Sequence, residues 1–232
     1  MESRRSVVRA TLLAAAATVA CGTVAGCAEE PGPDPLDSDF RPIRISVNAN
    51  SEEQRILGEI YQRALNNAGH GAYLSMETVP VDHHRLHRLN ELSGDLIVGC
   101  TGELLNQLNP VQAQRLSTEW VAATTGATQG ELKNSGDWRE KVYQAMVGSL
   151  PGNMLASDPS NAIGCDDYDG PPLPQHIVPV YRKPMLDRGD RLILNKVGGT
   201  ITTADIEELV KKARREGSVG FAVTGYMADN DL

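Results

Sequence analysis

The chain has 232 residues, a formal net charge of −8 and only 4% aromatic residues. Affinity for nucleic acids comes largely from Lys and Arg on phosphates, so an acidic chain of this kind excludes nucleic-acid partners. The sequence contains no P-loop, no G-x-G-x-x-G and no G-x-S-x-G motif, and we expect no cofactor.

The first 26 residues have the pattern of an export signal. Three arginines precede the apolar run 11–26, which is marginal for spanning a bilayer of about 30 Å. The run ends VAGC, which resembles a bacterial lipobox, and this predicts a signal peptide over 1–26 and lipidation of Cys27. A cut before Cys21 is the alternative, and residues 3–9 also resemble a twin-arginine signal. We therefore expect an extracytoplasmic protein that is lipid-anchored to the bacterial cell membrane.

Residues 27–42 are acidic and rich in proline, a composition that stays extended and solvated. They are predicted to be a tether between the lipid and one folded domain over 43–232. Without the three Arg and one Glu of the signal, the net charge becomes −10.

The folded part opens with a strand and a helix. Ile43, Ile45 and Val47 alternate as in a strand, and Ser51 with Gln54 has the spacing of a capping box. The helix that follows is predicted to end at Gly69.

Two further strand–helix pairs continue the alternation. A strand is predicted over 72–79, followed by a helix capped by Asp82. The apolar run 95–99 predicts a strand covered on both faces, and a helix runs from Thr101 to near Pro110. Three leucines of the second helix are expected to face inward: Leu86, Leu89 and Leu92. This β-α-β-α-β-α order predicts a largely parallel sheet covered by helices, which is an α/β fold.

The second half of the chain is less regular. Val121–Gln129 is predicted as a strand or a loop, and Asp137–Val147 as a helix. Residues 176–183 are extended, but Pro179 predicts an edge or connecting strand. Helices are expected over 185–197, 203–216 and 221–232.

One cluster has the residue types of a metal site. His83 and His87 lie four apart on a predicted helix, with Asp82, His84 and Glu91 nearby. However, the leucine spacing explains this helix without a metal, and the pattern lacks the Glu of H-E-x-x-H. A solvated helix face is favoured, and no metal site is predicted here.

Two cysteines remain in the folded part, Cys100 and Cys165. Cys100 lies at a strand-to-helix turn, where it could be a nucleophile, a metal ligand, half of a disulfide or only a small residue lining a site. The C-x-x-C spacing is absent, and an exported chain favours a disulfide over a catalytic or metal pair.

Ligands of open α/β sheets bind beyond the carboxyl ends of strands, where loops lead into helix N-termini. Two such turns here carry short polar residues, which suits a small polar ligand, although the same residues would also serve as helix caps. The candidate ligand-binding residues are Asn48, Asn50, Ser51, Cys100, Thr101 and Gly102.

Four stretches together resemble a known family. Residues 43–69, 94–108, 149–163 and 176–217 are similar, in order, to the substrate-binding proteins of ABC importers for glycine betaine, choline and other quaternary amines. The resemblance implies a periplasmic-binding-protein-like (type II) three-layer α/β lobe. It also implies a non-enzymatic solute-binding lipoprotein with an ABC permease as partner and a quaternary amine as ligand.

The chain departs from the family in two respects. Only Gly164–His176 stands where the family has its second lobe, so that lobe is missing or much reduced. Cys100 and Gly99 replace the Tyr and the acidic residue that commonly precede Thr-Gly at the third-strand turn. In the family's fold Cys165 would fall close to Cys100, which implies a Cys100–Cys165 disulfide.

These departures favour an alternative function. A degenerate single-lobe member would act as a cell-envelope interaction or scaffold lipoprotein without betaine binding. An envelope enzyme that depends on a thiol or a metal is a third and less favoured class.

Overall fold

The computed structural model describes residues 41–77, 85–126 and 136–232, and their strands form one sheet. The sheet has five strands in the order β2-β1-β3-β5-β4. β1 pairs in parallel with β2 and β3, whereas β5 pairs antiparallel with β3 and β4. The strands are β1 (Ile43–Asn48), β2 (Ala72–Glu77), β3 (Leu96–Cys100), β4 (Met154–Ala156) and β5 (Ile177–Arg182).

Helices fill most of the connections. The first half contains α1 (Glu52–Asn67), α2 (Arg85–Asn90), α3 (Thr101–Leu108), α4 (Pro110–Thr124) and α5 (Gly136–Val147). A short 3-10 helix (Lys183–Met185) follows β5, and the chain continues with α6 (Arg188–Thr200), α7 (Thr203–Glu216) and α8 (Val219–Asp229). No described helix is long and apolar enough to cross a membrane.

Successive residues of β3 alternate between two apolar cores, one on each face of the sheet. Leu96, Val98 and Cys100 belong to the core beneath α1, α6, α7 and α8. Ile97 belongs to the core beneath α2, α3, α4 and α5. This alternation follows from the two-residue period of a strand, and it confirms the three-layer lobe. The pairings show that four of the five strands point the same way and β5 the opposite way, so the sheet is mostly parallel.

Local capping explains several helix ends. Ser51 accepts a hydrogen bond from the Gln54 N–H at 3.2 Å, and Thr202 forms a capping box with Asp205 at the start of α7. α7 ends at Gly217, whose φ of +67° is the left-handed conformation that suits glycine. The reciprocal half of the Ser51 capping box is not formed, because the Gln54 Oε1 is buried without a hydrogen-bond partner.

Two expectations in the first half were wrong. Leu92 was expected to face inward, but α2 ends at Asn90, and Leu92 lies in the following turn with φ +59° and 58% of its surface exposed. Residues 121–124, expected in a strand or loop, continue α4. Some predictions fall outside the described residues: the predicted helix cap Asp82, the histidines His83 and His84, and residues 127–129.

The position of β5 also differs from the expectation for a proline-containing strand. β5 lies between β3 and β4 and not at an edge. The Pro179 carbonyl accepts a hydrogen bond from the Ser157 N–H at 3.0 Å, just beyond the end of β4. In an antiparallel sheet, the N–H and C=O of one residue point to the same neighbouring strand. The N–H that Pro179 lacks would therefore point towards the short strand β4.

Candidate functional site

The carboxyl ends of β1 and β3 bring the two predicted ligand turns to the same edge of the sheet, because these strands are parallel neighbours. α1 begins after the first turn and α3 after the second. The antiparallel strand β5 begins at this edge too, since Ile177 pairs with Cys100. The segment before β5 therefore passes over the second turn.

The first turn uses its polar groups within itself. The Asn48 side-chain oxygen accepts from the Asn50 N–H at 2.9 Å, and the Asn48 carbonyl accepts from the Ser51 N–H at 3.1 Å. Ser51 caps α1. Asn50 is exposed, whereas Asn48 and Ser51 are half-buried. These contacts are those of a capping turn, and the ligand role of the three residues stays a prediction.

The second turn is covered by the chain itself. Cys100, Thr101 and Gly102 are all buried. The Thr101 N–H donates to the carbonyl of His176 at 2.9 Å, and its hydroxyl donates to the carbonyl of Pro174 at 3.1 Å. The three residues therefore contact residues 173–176 in this structure, and their contact with a ligand also stays a prediction.

Gln175 caps α3 from a distant part of the sequence. Its Oε1 accepts from the Glu103 N–H at 3.0 Å, so a side-chain amide occupies part of the helix N-terminus. Gly102 makes this approach possible, because a Cβ there would lie 2.7 Å from Gln175 Nε2 and 2.8 Å from the Leu173 Cβ. The Nε2 is buried without a hydrogen-bond partner. Sequence reasoning missed Gln175, since no local pattern connects it with a helix 72 residues earlier.

A disulfide joins the buried turn to the covering segment. Cys100 and Cys165 are bonded with an Sγ–Sγ distance of 2.03 Å, as the sequence led us to expect. Cys165 has φ +57°, and its N–H donates to both carboxylate oxygens of Glu53 at 3.2 and 3.3 Å. The start of α1, the end of β3 and the loop at Cys165 therefore meet at one point.

A cavity of about 310 Å³ adjoins this junction. It lies at the lower end of the range of roughly 300–1,000 Å³ that is usual for small-molecule sites. The wall comes from the C-terminal part of α4 and from the segment before β5. Its polar and aromatic lining includes Trp120, Cys165, Asp166, Tyr168, Gln175 and His176.

One carboxylate residue, Asp166, lines this cavity, and others lie near its wall. Burial raises the pKa of Glu53, and the negative charges of Asp166, Asp167 and Glu103 raise it further. Burial also raises the pKa of Tyr168 to about 12, with contributions from nearby Glu103 and Asp169. Because like charges penalise one another here, this region would favour a cation.

His176 contributes a neutral imidazole to the cavity wall. Burial, together with the charge of Arg139, lowers its pKa to about 4, although the hydrogen bond between Nδ1 and the Ser160 carbonyl (3.1 Å) acts in the opposite direction. The ring is therefore uncharged at neutral pH, and it offers polarity without repelling a cation.

Trp120 is held in place by a second aromatic ring. Its centroid lies 5.4 Å from that of Trp138, with an interplanar angle of 68°, which is an edge-to-face pair. Lys141 Nζ lies 4.4 Å from the Trp138 centroid and 2.6 Å from a Glu119 carboxylate oxygen. This cluster ties α4 to α5 beside the cavity. The sequence alone gave no signal for it, because the tryptophans are 18 positions apart on different helices.

His87 and Glu91 are the described members of the histidine and carboxylate cluster found in the sequence, and they form a pair on the surface. His87 Nε2 lies 2.7 Å from a Glu91 carboxylate oxygen, and more than half of each side chain is exposed. This is the solvated arrangement that the sequence favoured for these two residues.

Comparisons with known proteins show the fold. No protein-family model matches the sequence, and no curated protein does. The solved structures include two similar ones with a TM-score of 0.54. Apo YehZ from Escherichia coli is 11% identical over 81% of this chain and 98% of that chain. A glycine betaine/carnitine/choline ABC transporter is 10% identical over 82% of this chain and 98% of that chain.

The fold is periplasmic-binding-protein-like, type II. At such low identity the likeness extends to the architecture and not to the ligand. The site must therefore be argued from the residues of this chain.

Proposed function

We propose that this chain is the solute-binding lipoprotein of an ABC importer and that its solute is a quaternary amine such as glycine betaine. The observation that carries the proposal is a small cavity lined by two aromatic residues, Trp120 and Tyr168, and by Asp166, with the carboxylates of Glu103 and Asp169 near Tyr168. Aromatic faces attract cations by roughly 0.5–2 kcal/mol per ring, and the carboxylates supply a favourable field. The fold and the description of one similar structure agree with this role.

A positively charged group close to His176 suits the other end of a betaine. Arg139 lies close enough to His176 to lower the pKa of that imidazole, and its Nε is buried without a hydrogen-bond partner. A betaine carries a quaternary ammonium group and a carboxylate. The protein carboxylates would attract the ammonium group, and Arg139 would attract the ligand carboxylate.

In this proposal the predicted turns support the cavity. Cys100, Thr101 and Gly102 hold the segment that forms its wall, and Asn48, Asn50 and Ser51 fix the start of α1, where Glu53 lies. Their role in ligand binding is thus one of positioning.

The location and partner follow from the same proposal. Residues 1–26 would be removed, Cys27 would carry the lipid, and 27–42 would tether the domain 43–232 to the outer face of the membrane beside an ABC permease. Metabolic labelling with palmitate is expected to label the wild type and not Cys27→Ala. Labelling of the variant to the same extent would contradict lipidation of this residue.

Calorimetry and thermal unfolding test the ligand class. Glycine betaine or choline is expected to give titratable heat and a higher melting temperature, because a ligand that binds the folded state stabilises it. The compound 3,3-dimethylbutan-1-ol, an uncharged isostere of choline, should give no titratable heat and no increase in melting temperature. Tyr168→Leu and Trp120→Leu should each weaken binding by roughly 2- to 30-fold, the equivalent of one cation–aromatic contact.

Tyr73→Leu is the matched control, because Tyr73 is an aromatic residue on the exposed edge strand β2 and 41% of its surface is exposed. It should bind the amine as the wild type does. The proposal is wrong if betaine, choline, carnitine and proline betaine all leave both heat and melting temperature unchanged.

A second candidate function is a cell-envelope interaction or scaffold lipoprotein without betaine binding. One observation favours it: the N-terminus of α3 is already capped by Gln175 and covered by residues 173–176. A negative calorimetric result together with recovery of a protein partner by cross-linking on whole cells would support this candidate.

A further inference from the structure

We propose that the dithiol form of this protein binds a thiophilic divalent cation, such as Zn²⁺, through Cys100, Cys165 and Glu53. One donor atom from each of these residues lies within 4.8 Å of the other two. A tetrahedral zinc ion with bonds of about 2.0–2.3 Å places its ligand atoms roughly 3.5–3.8 Å apart. The proposal does not depend on the solute-binding function.

The donors come from three separate elements, which fixes their approach. Glu53 lies in the first turn of α1, and Cys100 is the last residue of β3. The Cys165 N–H donates to both oxygens of the Glu53 carboxylate, so the carboxylate is oriented before any ion arrives. Cys100 also precedes the first residue of α3, and a helix N-terminus favours the thiolate that a metal requires.

Gly164 gives the carboxylate its room. A Cβ at this position would lie 2.6 Å from Glu53 Oε1, so a larger residue would displace the carboxylate. Gly164 is itself buried beside the disulfide, which makes it a sensitive position for a test.

The charge around Glu53 favours a cation. Among the described residues, no Lys, Arg or His forms an ion pair with this carboxylate. Its charged neighbours are instead Asp166, Asp167 and Glu103. Two thiolates and a carboxylate would carry three negative charges, and a divalent ion would offset two of them.

Reduction generates the site by ordinary thiol–disulfide exchange with a dithiol. One thiolate of the reductant attacks Cys165 Sγ, which lines the cavity, and Cys100 leaves as a thiolate. The second thiolate of the reductant then attacks the reductant sulfur of the mixed disulfide. Cys165 leaves as a thiolate, and the reductant becomes a cyclic disulfide. The cavity provides the route for the ion and for a water molecule as the fourth ligand.

Cobalt spectroscopy tests the site. The full chain is reduced with dithiothreitol, desalted without oxygen and titrated with Co²⁺. Thiolate-to-cobalt charge-transfer absorption should then reach saturation at one ion per chain. The oxidised protein and Cys165→Ser should not show this absorption with the same stoichiometry. Glu53→Gln should weaken Co²⁺ binding by about tenfold or more, whereas Glu52→Gln, one residue away, should not.

Thermal unfolding excludes binding to unfolded cysteines. Zn²⁺ is expected to raise the melting temperature of the reduced protein, because only binding to the folded state stabilises it. Gly164→Ala should reduce both this increase and the Co²⁺ affinity while keeping every donor. The proposal is overturned by a reduced protein that gives no charge-transfer absorption, by affinities of Glu53→Gln and wild type that are equal, or by loss of the native circular dichroism on reduction.

Discussion

The two ends of β3 differ in how their polar groups are satisfied. At the amino end, Asp95 is 1% exposed, and its carboxylate accepts from Arg41 at 2.7 Å, from Arg182 at 2.5 Å and from the Arg44 N–H at 2.9 Å. At the carboxyl end, Glu53 has no cationic partner among the described residues, and Gln175 Nε2 and the Tyr168 hydroxyl have no hydrogen-bond partner. One strand thus connects a buried carboxylate that accepts from three donors with an edge where polar groups are left available, although Arg182 Nε at the amino end is also buried without a hydrogen-bond partner.

This contrast indicates a division between stability and binding. A buried carboxylate with several donors specifies one arrangement of the chain, and little remains for a ligand to gain there. Unpartnered polar groups beside a cavity are costly when empty and can become favourable when a ligand supplies a partner. The following predictions test this division.

The largest expected effect is at the carboxyl end, from loss of the disulfide. Cys100→Ala/Cys165→Ala should lower the free energy of unfolding by about 4 kcal/mol, because the bond closes a loop of 65 residues in the unfolded chain. Chemical denaturation of the oxidised wild type and the double variant measures this difference. Equal midpoints would show that the covering segment is held by its hydrogen bonds alone.

At the amino end, Asp95→Ala should cost about 3 kcal/mol, because it leaves the partly buried Arg182 and the Arg44 N–H without their acceptor. Glu119→Ala is the control, since its pairs with Lys141 and Arg115 are exposed and should contribute little to stability. Urea denaturation compares the two variants. Equal losses would remove the distinction between a buried network and a surface pair.

His176 predicts a pH dependence at the carboxyl end. Its pKa is about 4 in the folded protein and 6.5 without perturbation, so the unfolded chain binds more protons between these values. Stability should therefore fall by about 3 kcal/mol as the pH decreases from 7 to 4, with little contribution from this group above pH 7. Unfolding midpoints of wild type and His176→Asn across this range measure the difference. A variant with an unchanged pH slope would contradict a buried neutral imidazole.

The smallest expected effect concerns the close packing of residues 173–176 on α3. Gly102→Ala should destabilise by roughly 1–2 kcal/mol, because its Cβ would meet Leu173 and Gln175 within 3 Å. Gly199→Ala in α6 is the matched control, since its Cβ would have no neighbour within 4 Å and alanine favours a helix. Thermal unfolding should show opposite signs for the two variants.

Most elements could be predicted from local sequence patterns, and the misses have local causes. Ile43, Ile45 and Val47 indicated a strand by their period of two, and Gly217 marked the end of α7. Leu92 continued the leucine spacing but lies past the end of its helix. Pro179 has the chemistry of an edge residue, yet its missing N–H points towards the short β4, and its strand is internal.

The sequence by itself determined the alternation of strands and helices, the acidic character of the chain and the presence of two cysteines in the folded part. These properties depend on residue type and spacing. Tertiary structure alone decided that Gln175 caps α3 from 72 positions away, that Trp120 and Tyr168 share a cavity, and that Glu53 approaches the disulfide. The physical reason is that these contacts join groups brought together by the order of the strands, which no local pattern encodes.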